Sequence, residues 1–320
     1  MFGGEYALKP GAEYCYLTDS GRSSLRLILR SGFKDKKFLV PNFICPTIIE
    51  VLNQENVSYD FYNVGADLTI SLSGIQNKDF DVLYVIHYFG NKHENLEQIN
   101  LDNKFFIADH VFSPHFEKPK NINNWIGFNS LRKISNIADG SLLCSTVSLN
   151  DQLITKAEAP FARLKYAAKN AKFEMLQSQN FSQDQAVFKL SQEAEDALNR
   201  QTDIYQISSG SLALIYGFFK NINEEKKIRA ENYAELEKIL TQKCTEPDTD
   251  FCSFFNLKVY KRDELRKWLF DRQIYLPVFW PGAAGLTHEL FLSIISIPVD
   301  SRYNINDMRS VAESILEFYK

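Results

Sequence analysis

Short apolar runs recur through the first half of the chain and predict the strands of an open sheet. Most of them lie roughly 15–20 residues apart, a spacing typical of strands connected by helices. The run Val82–Ile86 has no charged or small polar residue, which is typical of a strand covered on both faces. The predicted strands are 37–41, 58–64, 81–87, 104–109, 125–129 and 141–145. Their alternation with helical segments indicates the α/β class.

Apolar positions at helical spacing predict the helices, and the last 70 or so residues mix helices with strands. The predicted helices are 23–29, 46–56, 155–177, 183–200, a segment after Gly210, 224–242, 262–272 and a last helix that begins near Asn304 or Asn306. Two further strands are predicted at 253–259 and 290–297. We therefore predict a large domain over residues 1–220 and a smaller α+β domain over residues 221–320.

Three titratable residues follow predicted strands at positions where open α/β sheets bind ligands. His87 and Asp109 end two neighbouring runs, and Lys133 follows the run 125–129. A lysine and a carboxylate at adjacent strand ends suit pyridoxal phosphate chemistry. The amine bonds to the cofactor, and the carboxylate keeps the pyridine nitrogen protonated. Taken singly, each residue also has a more ordinary interpretation, as a solvated loop lysine, a turn cap or a structural histidine.

An earlier segment has the features of a phosphate-binding turn. Residues 19–24 read Asp-Ser-Gly-Arg-Ser-Ser and open a predicted helix. Free backbone N–H groups at a helix N-terminus, two hydroxyls and an arginine together favour an anion. An ordinary helix cap at Ser20 explains the same residues without a ligand. The order and spacing of this turn, Asp109 and Lys133 favour the cofactor hypothesis.

These segments together resemble the DegT-type sugar aminotransferases, a pyridoxal phosphate-dependent family of fold type I. The similarity covers the turn at 20–25, His-Tyr-Phe-Gly at 87–90, Asp109, Ser-Leu-Arg-Lys at 130–133 and Asp-Gly-Ser-Leu at 139–142. The resemblance implies a large domain with a mostly parallel central sheet and a small C-terminal domain. It implies Lys133 and Asp109 as catalytic residues. The cofactor-binding residues that it implies are Lys133, Asp109, Gly21, Arg22, Ser23, Ser130, Cys45 and His87.

Four positions depart from the pattern of that family. Phe112 replaces a glutamine or histidine three residues after the aspartate, and Phe279 replaces a proline-flanked histidine. Cys45 lies near the place of an aromatic residue that stacks on the cofactor ring. Phe128 occupies the place of a phosphate-binding serine, for which Ser130 is a substitute. These departures indicate a divergent branch.

The resemblance implies amino transfer from a donor such as glutamate to a nucleotide-linked keto sugar, for surface polysaccharide or a related glycan. It also implies a homodimer. The alternative is a binding or regulatory protein that keeps the fold without catalysis. A glycosyltransferase is a weaker alternative, based on the Asp-x-Asp form of 248–250. No G-x-G-x-x-G follows the first strand, which argues against a dinucleotide dehydrogenase.

Composition and charge limit the partners and the cellular location that the sequence allows. The 320 residues carry 36 Lys+Arg against 40 Asp+Glu, a net charge of −4, which argues against a nucleic-acid partner. The five cysteines are scattered without a C-x-x-C pair, so neither a disulfide framework nor a metal site is predicted. Residues 1–6 lack a basic segment followed by an apolar stretch, and the run 291–299 is too short to span a bilayer. We therefore expect a soluble protein in the cytoplasm.

Overall fold

A computed structural model describes residues 12–91, 96–178, 181–241, 243–244, 249–281 and 287–320. Nine strands form the large sheet in the order β3-β2-β4-β5-β6-β7-β1-β9-β8, and β10 and β11 form a separate pair. The strands are β1 (Tyr14–Thr18), β2 (Phe38–Pro41), β3 (Tyr59–Tyr62), β4 (Val82–Ile86), β5 (Phe105–His110), β6 (Trp125–Asn129), β7 (Ser141–Ser145), β8 (Ile154–Glu158), β9 (Ile204–Gln206), β10 (Phe254–Lys258) and β11 (Ile294–Pro298).

The direction of the strands brings six of their carboxyl ends to one edge. Pairings among β3, β2, β4, β5 and β6 are all parallel. Strand β7 is antiparallel to both β6 and β1, so β1 runs in the same direction as β6. Consequently β1, β2, β3, β4, β5 and β6 all end at the same edge of the sheet. Open sheets of this kind bind their ligands there.

Helices cover the sheet and build the C-terminal part. They are α1 (Gly21–Ile28), α2 (Pro46–Gln54), α3 (Leu72–Gln76), α4 (Leu131–Ile134), α5 (Pro160–Ser178), α6 (Asp184–Arg200), α7 (Ser209–Lys220), α8 (Ile222–Ile239), α9 (Arg262–Phe270), α10 (Glu289–Ser293) and α11 (Ile305–Phe318). Helix α11 begins with a capping box, in which Asn304 and Asp307 each bond to the other's backbone N–H. This cap explains why the last helix begins where the sequence predicted it.

The main core consists of apolar side chains on both faces of the large sheet, in agreement with the unbroken apolar runs. A second core joins α8, α9, α11 and the β10–β11 pair, and its members include Leu236, Phe255, Leu265, Ile297 and Met308. The predicted division of the chain after residue 220 coincides with the end of α7 and stays a prediction. Across the described ranges, none of the helices has both the length and the apolar character needed to cross a membrane.

Two predicted elements were wrong, and three strands were missed. The predicted helix 155–177 begins instead with β8, and α5 begins at Pro160, a residue that favours the first turn of a helix. The predicted strand 290–297 begins with the short helix α10, for which the His288 side chain accepts a hydrogen bond from Leu290 N. The missed strands are β1, β8 and β9. Residues 125–129 and 141–145 are strands with the predicted bounds.

Candidate active site

Asp109 lies near the carboxyl end of β5, at the edge where the six strands end. In the strand register it is opposite Ile86 of β4 and Phe128 of β6. Its carboxylate is buried and accepts hydrogen bonds from Tyr84 Oη at 2.7 Å and from Val111 N at 3.0 Å. Burial raises the pKa of Asp109 to about 6, while the Tyr84 hydrogen bond and the charge of Lys133 act in the opposite direction. At neutral pH the group is therefore mainly an anion in a largely apolar place.

Lys133 lies in α4, directly after β6, and is exposed to solvent. Protein nevertheless surrounds its amine closely enough to reduce its hydration, and this lowers the pKa of Lys133. The positive charges of Arg132 and Arg22 act in the same direction, whereas Asp109 opposes them. Asp109 and Lys133, which the sequence placed at neighbouring strand ends, thus lie within electrostatic range of each other.

The predicted phosphate turn follows β1 at the same edge. Ser20 caps α1 by accepting a hydrogen bond from Ser23 N at 3.2 Å. The turn packs closely against the end of β6, because a Cβ added to Gly21 would lie 3.4 Å from Phe128 Cε2 and 3.5 Å from the Asn129 carbonyl oxygen. Ser23 is buried, and Gln201 Nε2 donates to its hydroxyl at 3.1 Å. In this structure Ser23 therefore helps to hold the turn in place.

Helix α6 fixes two guanidinium groups beside this turn. Arg132 donates to both carboxylate oxygens of Glu195, at 2.9 and 3.4 Å, and Arg22 donates to Asn199 Oδ1 at 2.7 Å. Lys165 of α5 donates to the same carboxylate at 2.8 Å. Arg132 and Lys165 together hold the pKa of Glu195 at about 2, against the effect of its burial. These contacts orient a cationic group of side chains around Lys133.

The other predicted cofactor residues occupy different places around the edge. Cys45 immediately precedes α2, bonds to Thr47 Oγ1 at 3.1 Å and lies within electrostatic range of Lys133. Ser130 is the residue before α4, and its hydroxyl does not bond back to that helix within the described structure. His87 follows β4 and stacks on His110 with ring centroids 4.1 Å apart. We call Asp109, Ser130, Lys133 and the turn 20–23 the polar edge.

Two of the departures from the family pattern contact each other. The Lys133 amine lies 5.4 Å from the centroid of the Phe112 ring, and Phe112 packs edge-on against Phe279 at 5.5 Å. Phe254 of β10 and Phe89 complete the group, with centroids 5.2 and 5.9 Å from that of Phe112. We call these four phenylalanines the aromatic wall. The third departure, Phe128, is buried beneath the phosphate turn.

The residues of the polar edge fit pyridoxal phosphate. The Asp109 carboxylate is buried and accepts two hydrogen bonds, and it suits the protonated ring nitrogen of the cofactor. The Lys133 amine is accessible and has a lowered pKa, and it suits the aldehyde of the cofactor. The start of α1 and the Ser130 hydroxyl lie beside the same strand ends and suit the phosphate. The wall offers no hydrogen-bonding group at positions 112 and 279.

Neither a family model nor a curated protein matches the chain. Several solved structures match the chain over most of its length. A DegT DnrJ EryC1 StrS aminotransferase from Brucella abortus is 13% identical with a TM-score of 0.65, over 96% of this chain and 86% of that one. Helicobacter pylori PseC, an aminotransferase involved in the biosynthesis of pseudoaminic acid, is 12% identical with a TM-score of 0.66, over 96% and 87%. The sugar aminotransferase CalS13 from Micromonospora echinospora is 15% identical with a TM-score of 0.65, over 96% and 88%.

The chain has the fold of these aminotransferases. The predicted α/β architecture, with a mostly parallel central sheet, is therefore confirmed. At 12–15% identity the likeness is one of fold.

Sequence reasoning missed three contributors to the site. Tyr84 was counted as part of an apolar run, although it is the one side chain there with a hydroxyl, and that hydroxyl bonds to Asp109. Glu195 and Asn199 lie four residues apart on α6, the spacing that places them on one face. Of the glycosyltransferase motif, Asp250 pairs with Lys226 at 2.5 Å, and Asp248 lies outside the described residues.

Proposed function

We propose that this protein is a pyridoxal phosphate-dependent aminotransferase that acts on a nucleotide-linked keto sugar. One observation carries the proposal. The parallel strands β5 and β6 place a buried carboxylate, Asp109, and an accessible amine, Lys133, within electrostatic range at one edge of the sheet. A chain that only needed to fold would gain nothing from an anion buried beside a lysine, because burying a carboxylate is unfavourable.

Pyridoxal phosphate, when bound, supplies an aldehyde for amines and an electron-withdrawing ring. Lys133 holds the cofactor through Nζ, and its lowered pKa leaves a neutral fraction of the amine that accepts a proton at that atom. Asp109 is ionised above about pH 6 and holds the ring nitrogen in its protonated form. Tyr84 and Val111 keep this carboxylate oriented. The phosphate would be held by the turn residues Gly21, Arg22 and Ser23 and by the neighbouring Ser130.

The overall reaction exchanges an amino group for a carbonyl oxygen. The α carbon of an amino acid donor loses its C–N bond, gains a C=O bond and is oxidised to the 2-oxo acid. The carbonyl carbon of the keto sugar loses its C=O bond, gains one C–N and one C–H bond and is reduced. Lys133 Nζ moves the proton that leaves one carbon and reaches the other. The resemblance implies glutamate as the donor, and surface polysaccharide or a related glycan as the destination of the amino sugar.

Helix α7 supports a homodimer. It exposes Leu212, Leu214 and Tyr216, although the helix contains one charged residue in twelve. Apolar faces of this kind are typical of protein–protein contacts. The helix begins where Ser208 N and Oγ donate hydrogen bonds to Asp139, and the next residue, Gly140, donates from its N–H to the Asp19 carbonyl oxygen beside the turn 20–23. A second copy on α7 would lie beside the site. We place this homodimer in the cytoplasm.

The visible absorbance spectrum after incubation with pyridoxal phosphate tests the proposal. We expect the wild type to develop a visible band that borohydride traps as a covalent adduct on Lys133. Lys133→Ala should lose both, and Lys172→Ala, an exposed lysine on α5, should keep both. An absent band at saturating cofactor would overturn the proposal and leave the binding or regulatory alternative.

A band that no amino acid donor alters would indicate a protein that binds the cofactor without amino transfer. The lack of hydrogen-bonding groups at positions 112 and 279 favours this alternative.

A further inference from the structure

The aromatic wall is assembled from four separate segments of the chain. Phe89 follows β4, Phe112 follows β5, Phe254 lies in β10 and Phe279 lies in the segment before Trp280. All six pairs among these rings have centroids within 6.0 Å of each other. Phe89 and Phe112 are buried, whereas Phe254 and Phe279 are half-buried and keep part of their surface in solvent. The wall thus has a buried base and an accessible outer part.

The backbone adopts a disfavoured conformation to place one of these rings. Phe89 has φ 58° and ψ 16°, in the left-handed region that bulky residues rarely occupy. The ring that results lies nearly parallel to Phe112, with an interplanar angle of 12°. Gly90 follows with φ +97°, and a Cβ there would lie 3.3 Å from the Phe251 carbonyl oxygen. Strain of this kind persists where the surrounding structure imposes it, and it concentrates at functional sites.

The wall directly adjoins the reacting amine. The Lys133 amine lies over the Phe112 ring, and the half-buried rings of Phe254 and Phe279 pack edge-on against that same ring. A substrate whose α carbon reaches Lys133 therefore has the wall within reach of its side chain. An unpaired carboxylate against such rings is strongly disfavoured, whereas an apolar side chain gains contact area.

The charged groups around the amine do not compensate for this wall. Arg132 is bound by both oxygens of Glu195, and Arg22 is bound by Asn199. Asp109 is negative and would repel a second carboxylate. Arg22 has a neutral amide as its partner and retains its charge for one anionic group. Among the described residues that act on Lys133, the cations are these same two arginines, so neither is left without a partner to hold the second carboxylate of a dicarboxylic donor.

We propose that the aromatic wall selects an amino donor with an apolar side chain, aromatic or branched aliphatic, in place of glutamate. This inference rests on the proposed function and specifies its donor. Phe279 and Phe254 determine specificity through contact with the donor side chain, and Phe89 and Phe112 support them from below.

Binding of 2-oxo acids to the cofactor-loaded protein tests the inference without turnover. Calorimetry should show that phenylpyruvate and 4-methyl-2-oxopentanoate bind more tightly than 2-oxoglutarate. Phe279→His places a polar group on the wall and should lower the preference for phenylpyruvate by about 3- to 10-fold, the range expected for the loss of one aromatic contact. Phe279→Leu keeps the wall apolar and should retain tight binding of 4-methyl-2-oxopentanoate. Phe270→His is the matched control, because Phe270 is exposed on α9, away from the wall.

Equal binding of 2-oxoglutarate and phenylpyruvate by the wild type would overturn the inference. So would equal changes in Phe279→His and Phe270→His. Failure of this inference can be distinguished from failure of the proposed function. If the cofactor band is present and glutamate is the better donor, the inference alone fails. If the band is absent, the proposed function fails, whatever the binding preference of the wall.

Discussion

The polar edge and the aromatic wall both adjoin Lys133, and they are stabilised in opposite ways. At the polar edge hydrogen bonds orient several of the groups, as in the bonds from Tyr84 and Val111 to Asp109 and from Arg22 to Asn199. The wall has no directed bond and depends on the packing of four rings. Hydrogen bonds determine the orientation and the pKa of a polar side chain, whereas ring packing determines the shape of the surface and excludes water from it. Substitutions in the two regions should therefore change different measurable quantities.

The largest effect is expected from removal of a ring at the base of the wall. Phe89→Ala should lower the free energy of unfolding by about 3–5 kcal/mol, because a buried ring is lost and a cavity remains. Phe89→Gly loses the same ring but tolerates φ 58°, so it should be about 1 kcal/mol more stable than Phe89→Ala. Urea unfolding of the two variants measures the difference. Equal stability would show that the positive φ carries no strain.

At the polar edge, Asp109→Asn should lower the rate of amino transfer by about 10²–10³-fold, the effect of removing one preorganised electrostatic partner. Stability should change little or increase, since the variant no longer buries a charge. Stopped-flow measurement with a single amino donor gives the rate, and Asp102→Asn on an exposed turn is the control. An unchanged rate would remove Asp109 from the catalytic residues.

The sequence alone predicted more of the polar edge than of the aromatic wall. Asp109 and Lys133 were predicted because each follows a single apolar run, and such runs form the buried parallel strands. The wall could not be predicted as a unit, since its four members come from segments that meet only in the fold. Strand β1 was missed because three of its five residues are exposed and its pattern is weak. Tyr84 was hidden within an apolar strand.

A smaller effect concerns titration at the polar edge. Because the pKa of Asp109 is about 6, the rate of amino transfer should fall as the pH decreases through that value and the carboxylate is protonated. Tyr84→Phe removes a hydrogen bond that stabilises the ionised form, so the midpoint should move to higher pH by about one unit. The pH profile of the rate measures this shift, and Phe279→Leu, which adds no titratable group, should leave the midpoint in place. A midpoint that moves to lower pH in Tyr84→Phe would contradict the assigned hydrogen bond.

The smallest effect is expected at α6. Glu195→Gln weakens the contacts to Arg132 and Lys165 and should destabilise the protein by less than about 1 kcal/mol, because the carboxylate is partly solvated. The pKa of Glu195 is lowered to about 2, so its stabilising contribution is present above pH 4.5 and is lost as the pH falls from there towards 2. Urea unfolding at pH 7 and at pH 3 should show the difference between wild type and variant shrinking at the lower pH. A difference that grows with acidity would contradict the ion pairs.

Strand β1 has a consequence for how the protein is made. It lies in the interior of the large sheet, between β7 and β9, and its Cys15 faces Cys144, 129 residues further along the chain. During synthesis on the ribosome β1 emerges early but has no neighbour until β7 and then β9 have been translated. Pairing over such long sequence separations is slow and leaves strand edges open meanwhile. The nascent chain therefore carries an unpaired strand through much of its translation, and chaperone demand should be greatest in that interval.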